Sequence, residues 1–341
     1  MSEQEAAAQA PETAVEKIDV IINRRSGTVL HLGEDKVREG LEKSLGARLN
    51  SINFIEGKDI VSTVRQWTVD NKVDEDSKDG VKKEKRGLIL GGGDGSVLAA
   101  AGEFLGRDDI TLGVLPLGTH NLFARQLGFS ADFTEAAKQY ANVKPDKVDV
   151  GNVNGKNFLV GIMLDQNTVD FYAARELHRD KTFMSMVKAA GKFLSMAFGM
   201  VAGRRVKLDV SGQEHRGRIF IVSNNQFQPK SNDGEILLPT AKRLKPIIEK
   251  MLARNDSDGL LGFYSFKGGV RWATILPKLW DGSWTTAKGV KVQAAPELVI
   301  QPKSKRAPKE FDIILDGEVT KASYPLNVKM LAKSLKVYRP V

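Results

Sequence analysis

Asp94 is the only charged residue between Gly87 and Gly102, and it lies within Gly91-Gly92-Gly93-Asp94-Gly95-Ser96. A carboxylate set among glycines and aliphatics calls for a cation, and Mg²⁺ carried on a nucleotide would supply one. Four glycines in five positions let the backbone turn tightly and approach a ligand without interference from Cβ atoms. Amides at the start of a following helix favour a phosphate. A plainer reading has Asp94 capping that helix. A second stretch carries the same grammar: the apolar run 112–115, then Pro116-Leu117-Gly118-Thr119-His120-Asn121, then the helix-like Leu122-Phe123-Ala124-Arg125. Two such loops at the C-terminal ends of neighbouring strands would form the two lips of one cleft. Neither loop is a Gly-x-Gly-x-x-Gly dinucleotide turn, and the chain contains no Gly-x-x-x-x-Gly-Lys-[Ser/Thr] motif.

The elements needed to hold these loops alternate between strand and helix. Residues 18–23 and 87–90 are short apolar runs of the kind that forms buried parallel strands. Residues 34–45 place Val37, Leu41 and Leu45 on one helical face and end at Gly46. Residues 47–55 alternate as a strand, and 59–69 and 134–140 have helical spacing. Residues 70–86 hold twelve charges of both signs, which predicts a solvated insertion. From about residue 147 hairpins replace this alternation. Asn154-Gly155 predicts a type I′ turn between strands at 148–153 and 158–163. Further strands are expected at 206–210 and 218–222, flanking a loop at 211–214, and at 260–266, 290–293, 298–301 and 311–315.

The pair of loops resembles the diacylglycerol kinase catalytic family of lipid kinases, which carry Gly-Gly-Asp-Gly-[Thr/Ser] followed by Pro-x-Gly-Thr-x-Asn-x-Phe-Ala. Asn23, Ser26 and Gly27 match that family's first turn, with Arg24 in place of its proline, where it would add a cation near a triphosphate. Asp149 within Val148-Asp149-Val150-Gly151, the Asn224-Asn225 pair, Asp258-Gly259 and Asp316-Gly317-Glu318 match later pieces, so the resemblance runs from about residue 18 to 340. It implies an α/β nucleotide-binding domain with a parallel sheet (17–146, completed by 322–341 after a disordered tail at 1–16). It also implies a C-terminal β-sandwich domain for the lipid substrate (147–321) and an active site in the cleft between them. Glu318 would be the general base and Asp94 the key Mg²⁺ carboxylate, with Asp149 a second contributor. ATP phosphates would be cradled by Asn23, Ser26, Gly27, Gly92, Gly93, Gly95, Ser96, Gly118, Thr119 and Asn121. The chain departs from the pattern at Leu122, where many members have Asp, and at Gly262, which puts a structural metal on the second domain in doubt.

The expected reaction is phosphoryl transfer from Mg·ATP to a lipid hydroxyl, diacylglycerol foremost. The alternatives are a soluble kinase of the NAD kinase or phosphofructokinase type and a non-catalytic lipid- or nucleotide-binding module. The net charge of +9 favours an acidic partner, and an anionic membrane face suits it better than nucleic acid, since no basic patch with stacking aromatics is recognisable. Cysteine is absent and the four histidines are scattered, so neither a disulfide framework nor a zinc cluster is expected. Residues 183–201 form an apolar stripe interrupted by Lys188 and Lys192, which argues against a spanning helix. This stripe, flanked by Lys181, Arg204 and Arg205, or Trp272, Trp280 and Trp284 among Arg271, Lys278 and Lys288, would line a lipid entrance. His120 is expected to be an exposed helix-start residue. The chain is placed in the cytoplasm, peripheral on the inner membrane face. Its oligomeric state is left open, a homodimer being one option.

Overall fold

In the first half, β-branched and leucine runs flanked by glycine give strands buried on both faces, and the intervening polar-apolar segments give helices. The computed structural model describes residues 16–71, 86–118, 121–164, 205–225, 257–267, 278 and 284–341. Strands β1 (Lys17–Asn23), β2 (Leu49–Ile55), β3 (Arg86–Gly92) and β4 (Ile110–Pro116) pair in parallel in the order β2-β1-β3-β4. They are connected by α1 (Gly27–Leu32), α2 (Glu34–Leu45), α3 (Ile60–Asp70) and α4 (Asp94–Ala101), and α5 (Leu122–Gln126) and α6 (Phe133–Gln139) follow β4. The helix expected at 34–45 is α2, residue for residue. Val37, Leu41 and Leu45 are buried on its inner face.

The second half is antiparallel. Its strands are β5 (Val143–Val153), β6 (Lys156–Phe158), β7 (Gly161–Leu164), β8 (Val206–Val210), β9 (Gln213–Gly217), β10 (Ile219–Asn224) and β11 (Leu261–Phe266), then β12 (Val290–Ala295), β13 (Glu297–Pro302), β14 (Glu310–Leu315), β15 (Glu318–Ser323) and β16 (Leu326–Pro340). One six-stranded sheet runs β12-β11-β10-β7-β14-β15. It faces β16, β13 and β8, which belong to the same sheet as β1–β4. Ile162, Phe220, Val222 and Phe263 from the first layer bury against Val153, Leu208, Ile300 and Val328 from the second, forming the sandwich core. An α/β parallel-sheet unit followed by a β-sandwich is therefore what the chain folds into.

β5 and β16 belong to both units. Val148, Val150, Leu335 and Val337 lie in the core of the parallel half, whereas Val153, Leu326 and Val328 lie in the sandwich core. The boundary anticipated between 146 and 147 thus falls inside a continuous strand. β16 pairs with β4 at Val337–Leu112 and antiparallel with β5 along most of its length.

Two hairpin expectations are corrected. Asn154 and Gly155 do form the turn, both with positive φ. The apolar run after it is not one strand: β6 stays with β5, while β7 belongs to the facing sheet, and the chain crosses between layers at Leu159 and Val160. Residues 211–214 are also not all loop. Ser211-Gly212 alone turns the chain (φ 48° and 84°), and Gln213 starts β9, whose His215 is buried between Ser265 and Gln293.

Candidate active site

The loops following β1, β3 and β4 meet at the C-terminal edge of the parallel sheet. The Leu117 amide donates to the Gly92 carbonyl at 3.1 Å, and the Thr28 amide to the Leu117 carbonyl at 3.1 Å. Asn23 Nδ2 donates to Ser96 Oγ at 3.2 Å, tying the first loop to α4. Between the second and third loops the approach is backbone to backbone: a Cβ on Gly118 would collide with the Cα of Gly93. Only glycine permits that contact, so the two lips inferred from the sequence do face each other.

Asp94 is the first residue of α4, but no side chain caps that helix. Its Oδ1 instead accepts the Phe123 amide at 3.1 Å, which joins the glycine loop to the start of α5. Asn121, buried and left-handed (φ 52°, ψ 44°), accepts the Gly118 amide on Oδ1 at 2.8 Å and donates from Nδ2 to the Gly118 carbonyl at 3.0 Å. Its side chain closes the loop on itself, so its contribution to a phosphate is the shape of that loop. Ser26 is 6% exposed and its hydroxyl has no partner among the described residues. A buried unpaired hydroxyl is costly, and a phosphate oxygen would satisfy it. Thr119 and His120 lie outside the described residues.

Across the cleft, β14 and β15 are joined by Asp316-Gly317, a tight turn with φ 49° and 90°. It delivers Glu318 onto the glycine loop, where a Cβ on Gly95 would strike the Glu318 carboxylate. Asp316 braces the turn. Its carboxylate, 4% exposed, accepts the amides of Leu159 (2.6 Å), Val160 (2.9 Å) and Gly161 (2.8 Å). These are the amides released where the chain crosses from β6 to β7. Burial pushes the Asp316 carboxyl up to about 6, the three amides oppose the shift, and the nearby charge of Asp94 adds to it. In the sequence Asp316 stands only as part of the matched Asp316-Gly317-Glu318 turn, and an Asp ahead of Gly at a hairpin turn is the one signal of a left-handed, side-chain-bonded position.

Three residues with roles expected from the sequence make other contacts. Asp149, fully buried, turns both oxygens to backbone amides: Gly259 at 2.8 Å and Lys333 at 2.7 Å. It clips the 258–259 turn to a bulge in β16, and both of its oxygens are engaged by backbone. Arg24 is drawn to Glu34 (3.3 Å) and to the Phe54 carbonyl (3.2 Å) rather than held for a triphosphate. Trp284, 1% exposed, packs on Tyr264 and Phe266 with ring centroids 5.2 and 5.4 Å apart, so it is core and not interfacial. The apolar stripe 183–201, Lys181, Arg204, Arg271, Trp272 and Trp280 lie outside the described residues. Among the described residues no helix is long and apolar enough to cross a membrane. Nor does any group of three or more Asp, Glu or His among them form a metal cage. Asp94 beside a phosphate-shaped loop still suits Mg²⁺, which is ordinarily held by one or two carboxylates together with substrate phosphates.

Residues 17–153 match the diacylglycerol kinase catalytic domain family. Over 75 residues, 22% of this chain, the sequence is 43% identical to a Pseudomonas syringae pv. tomato protein named "Probable lipid kinase YegS-like", covering 24% of that protein. It is 36% identical over 85 residues to a Bacillus subtilis protein named "Diacylglycerol kinase", covering 24% of this chain and 28% of the relative. The matched stretch thus spans about a quarter of these relatives. The fold as a whole resembles that of a crystal structure titled as a diacylglycerol kinase from Bacillus anthracis str. Sterne, with TM-score 0.61, 21% identity, and coverage of 96% of this chain and 99% of that one.

Proposed function

We propose that this chain, a member of the diacylglycerol kinase catalytic-domain family through residues 17–153, is an ATP-dependent lipid kinase acting on the hydroxyl of diacylglycerol to give phosphatidic acid. The observation that carries the reading is the seating of Glu318, from the second sheet, against Gly95 of the glycine loop and hence next to Asp94. A base and a phosphate loop contributed by different sheets meet where a donor and an acceptor would have to meet.

Phosphoryl transfer asks for positioning, charge neutralisation and a destination for one proton. The backbone of residues 92–96 and 118 and the Ser26 hydroxyl would bind the phosphates of ATP. Asp94 would hold Mg²⁺ against them, and the bound ion would neutralise charge developing on the transferred group. Glu318 would take the proton from the acceptor hydroxyl as its oxygen bonds to the γ-phosphorus and the bond to ADP breaks. Asp316 would position that turn without touching the reacting atoms. We further propose that the enzyme works on an anionic membrane face, in keeping with its net charge of +9.

The test is to incubate the protein with labelled ATP, Mg²⁺ and diacylglycerol dispersed in anionic lipid, then to identify the labelled product. Glu318→Gln is expected to lower kcat by about 10²–10⁴-fold with ATP affinity retained, and Asp94→Asn to abolish turnover in a folded protein. Label in a soluble nucleotide or sugar acceptor, or full activity in either variant, would overturn the reading.

A further inference from the structure

A cavity of about 810 Å³ opens in the sandwich away from the Asp316–Glu318 turn. Strand register places it: Leu315 pairs with Glu318 beside the turn, whereas Phe311, in the cavity wall, lies four residues back, about 14 Å along the strand. The wall is apolar at Leu164, Phe220 and Phe311, and the Phe311 ring stacks on Tyr324 with centroids 4.2 Å apart. Arg205, Arg216 and Arg306 are exposed residues of the same cavity, and none makes an ion pair or side-chain hydrogen bond among the described residues. Of the other charges, Arg218 also lines the wall, partly buried, and the remaining ones are matched. Lys207 and Lys303 face Glu214 at 3.7 and 3.0 Å, and Asp312, the one acid lining the described cavity, pairs with Lys321 at 2.9 Å. Three unmatched guanidinium groups beside an apolar hollow of ligand size make a site for an anion that carries hydrocarbon. A bare phosphate would leave the apolar wall unused, and a neutral lipid would leave the arginines unmatched.

We propose that this cavity is a second lipid site, distinct from that of the phosphorylated substrate. It would take an anionic phospholipid, with the phosphodiester on Arg205, Arg216 and Arg306 and the acyl chain against Leu164, Phe220 and Phe311. The site does not depend on the kinase reading and is tested by binding alone. Full-length protein is titrated calorimetrically with monomeric dihexanoyl-phosphatidylglycerol, dihexanoyl-phosphatidylcholine and inorganic phosphate. The phosphatidylglycerol is expected to bind at least tenfold more tightly than either of the others, and less tightly as salt rises. Arg216→Glu with Arg306→Glu should weaken it at least tenfold, and Ala307→Trp, which fills the cavity and leaves the charges in place, should do the same. Melting temperature reports whether each variant is folded, and Arg216→Gln with Arg306→Gln is the milder pair should charge reversal unfold the chain. The proposal is overturned if phosphatidylcholine or inorganic phosphate matches phosphatidylglycerol, or if the folded variants keep wild-type affinity.

Discussion

Asp316 shows two opposing influences on one carboxyl. Three backbone amides favour its charge, while burial and the neighbouring Asp94 oppose it, and the group sits at about 6 against an ordinary 3.8. The folded state therefore takes up the proton more readily than the unfolded chain does. This group's support for the fold is full below about pH 4 and is lost as pH rises through 6. Unfolding free energies of wild type and Asp316→Asn, measured from pH 4 to 7, should differ by a quantity that drifts against the wild type by on the order of 2–3 kcal/mol. A difference that is flat, or drifts the other way, would mean the amides outweigh burial. Because the same turn carries Glu318, Asp316→Asn should also lower kcat, though Asp316 touches no substrate.

At the scale of elements, the loops are held by contacts that side chains would break. Gly118→Ala would thrust a methyl into Gly93, an overpacking that typically costs about 1–3 kcal/mol. It is expected to weaken Mg·ATP binding at least tenfold by calorimetry. Gly102→Ala, at a position with open space around it, should leave binding unchanged. Equal affinity in both variants would remove the loops from the nucleotide site. These loops were legible because a strand buried on both faces writes a continuous apolar run, and glycine or proline marks where it ends. The crossing at Leu159 and Val160 was not legible, since the run from Phe158 to Met163 is apolar throughout and only a carboxylate far along the chain fixes the break. β9 was hidden for a related reason: its inward position is His215, a polar residue made tolerable by Ser265 and Gln293, which no local pattern announces.

In the whole molecule the two units share β5 and β16 instead of meeting at a linker, and Asp149 is the fastener between them. It reads as a cleft carboxylate in sequence because motif order does not reveal which way a strand residue faces. Asp149→Ala would leave two part-buried amides without their partner, at a cost of up to roughly 1–3 kcal/mol each. Hydrogen exchange should then quicken in both β3 and β11, whereas faster exchange confined to β11 would mean that the halves open independently. The shared β16 also sets an order of events during synthesis. β4 is complete at Pro116, but its neighbour in the sheet ends at Pro340. At typical translation speeds the ribosome needs roughly ten to forty-five seconds to make the intervening chain. For that interval a buried-type strand has an open edge, the template on which nascent chains pair wrongly. Productive folding of this protein therefore depends on keeping that edge covered until its last strand emerges.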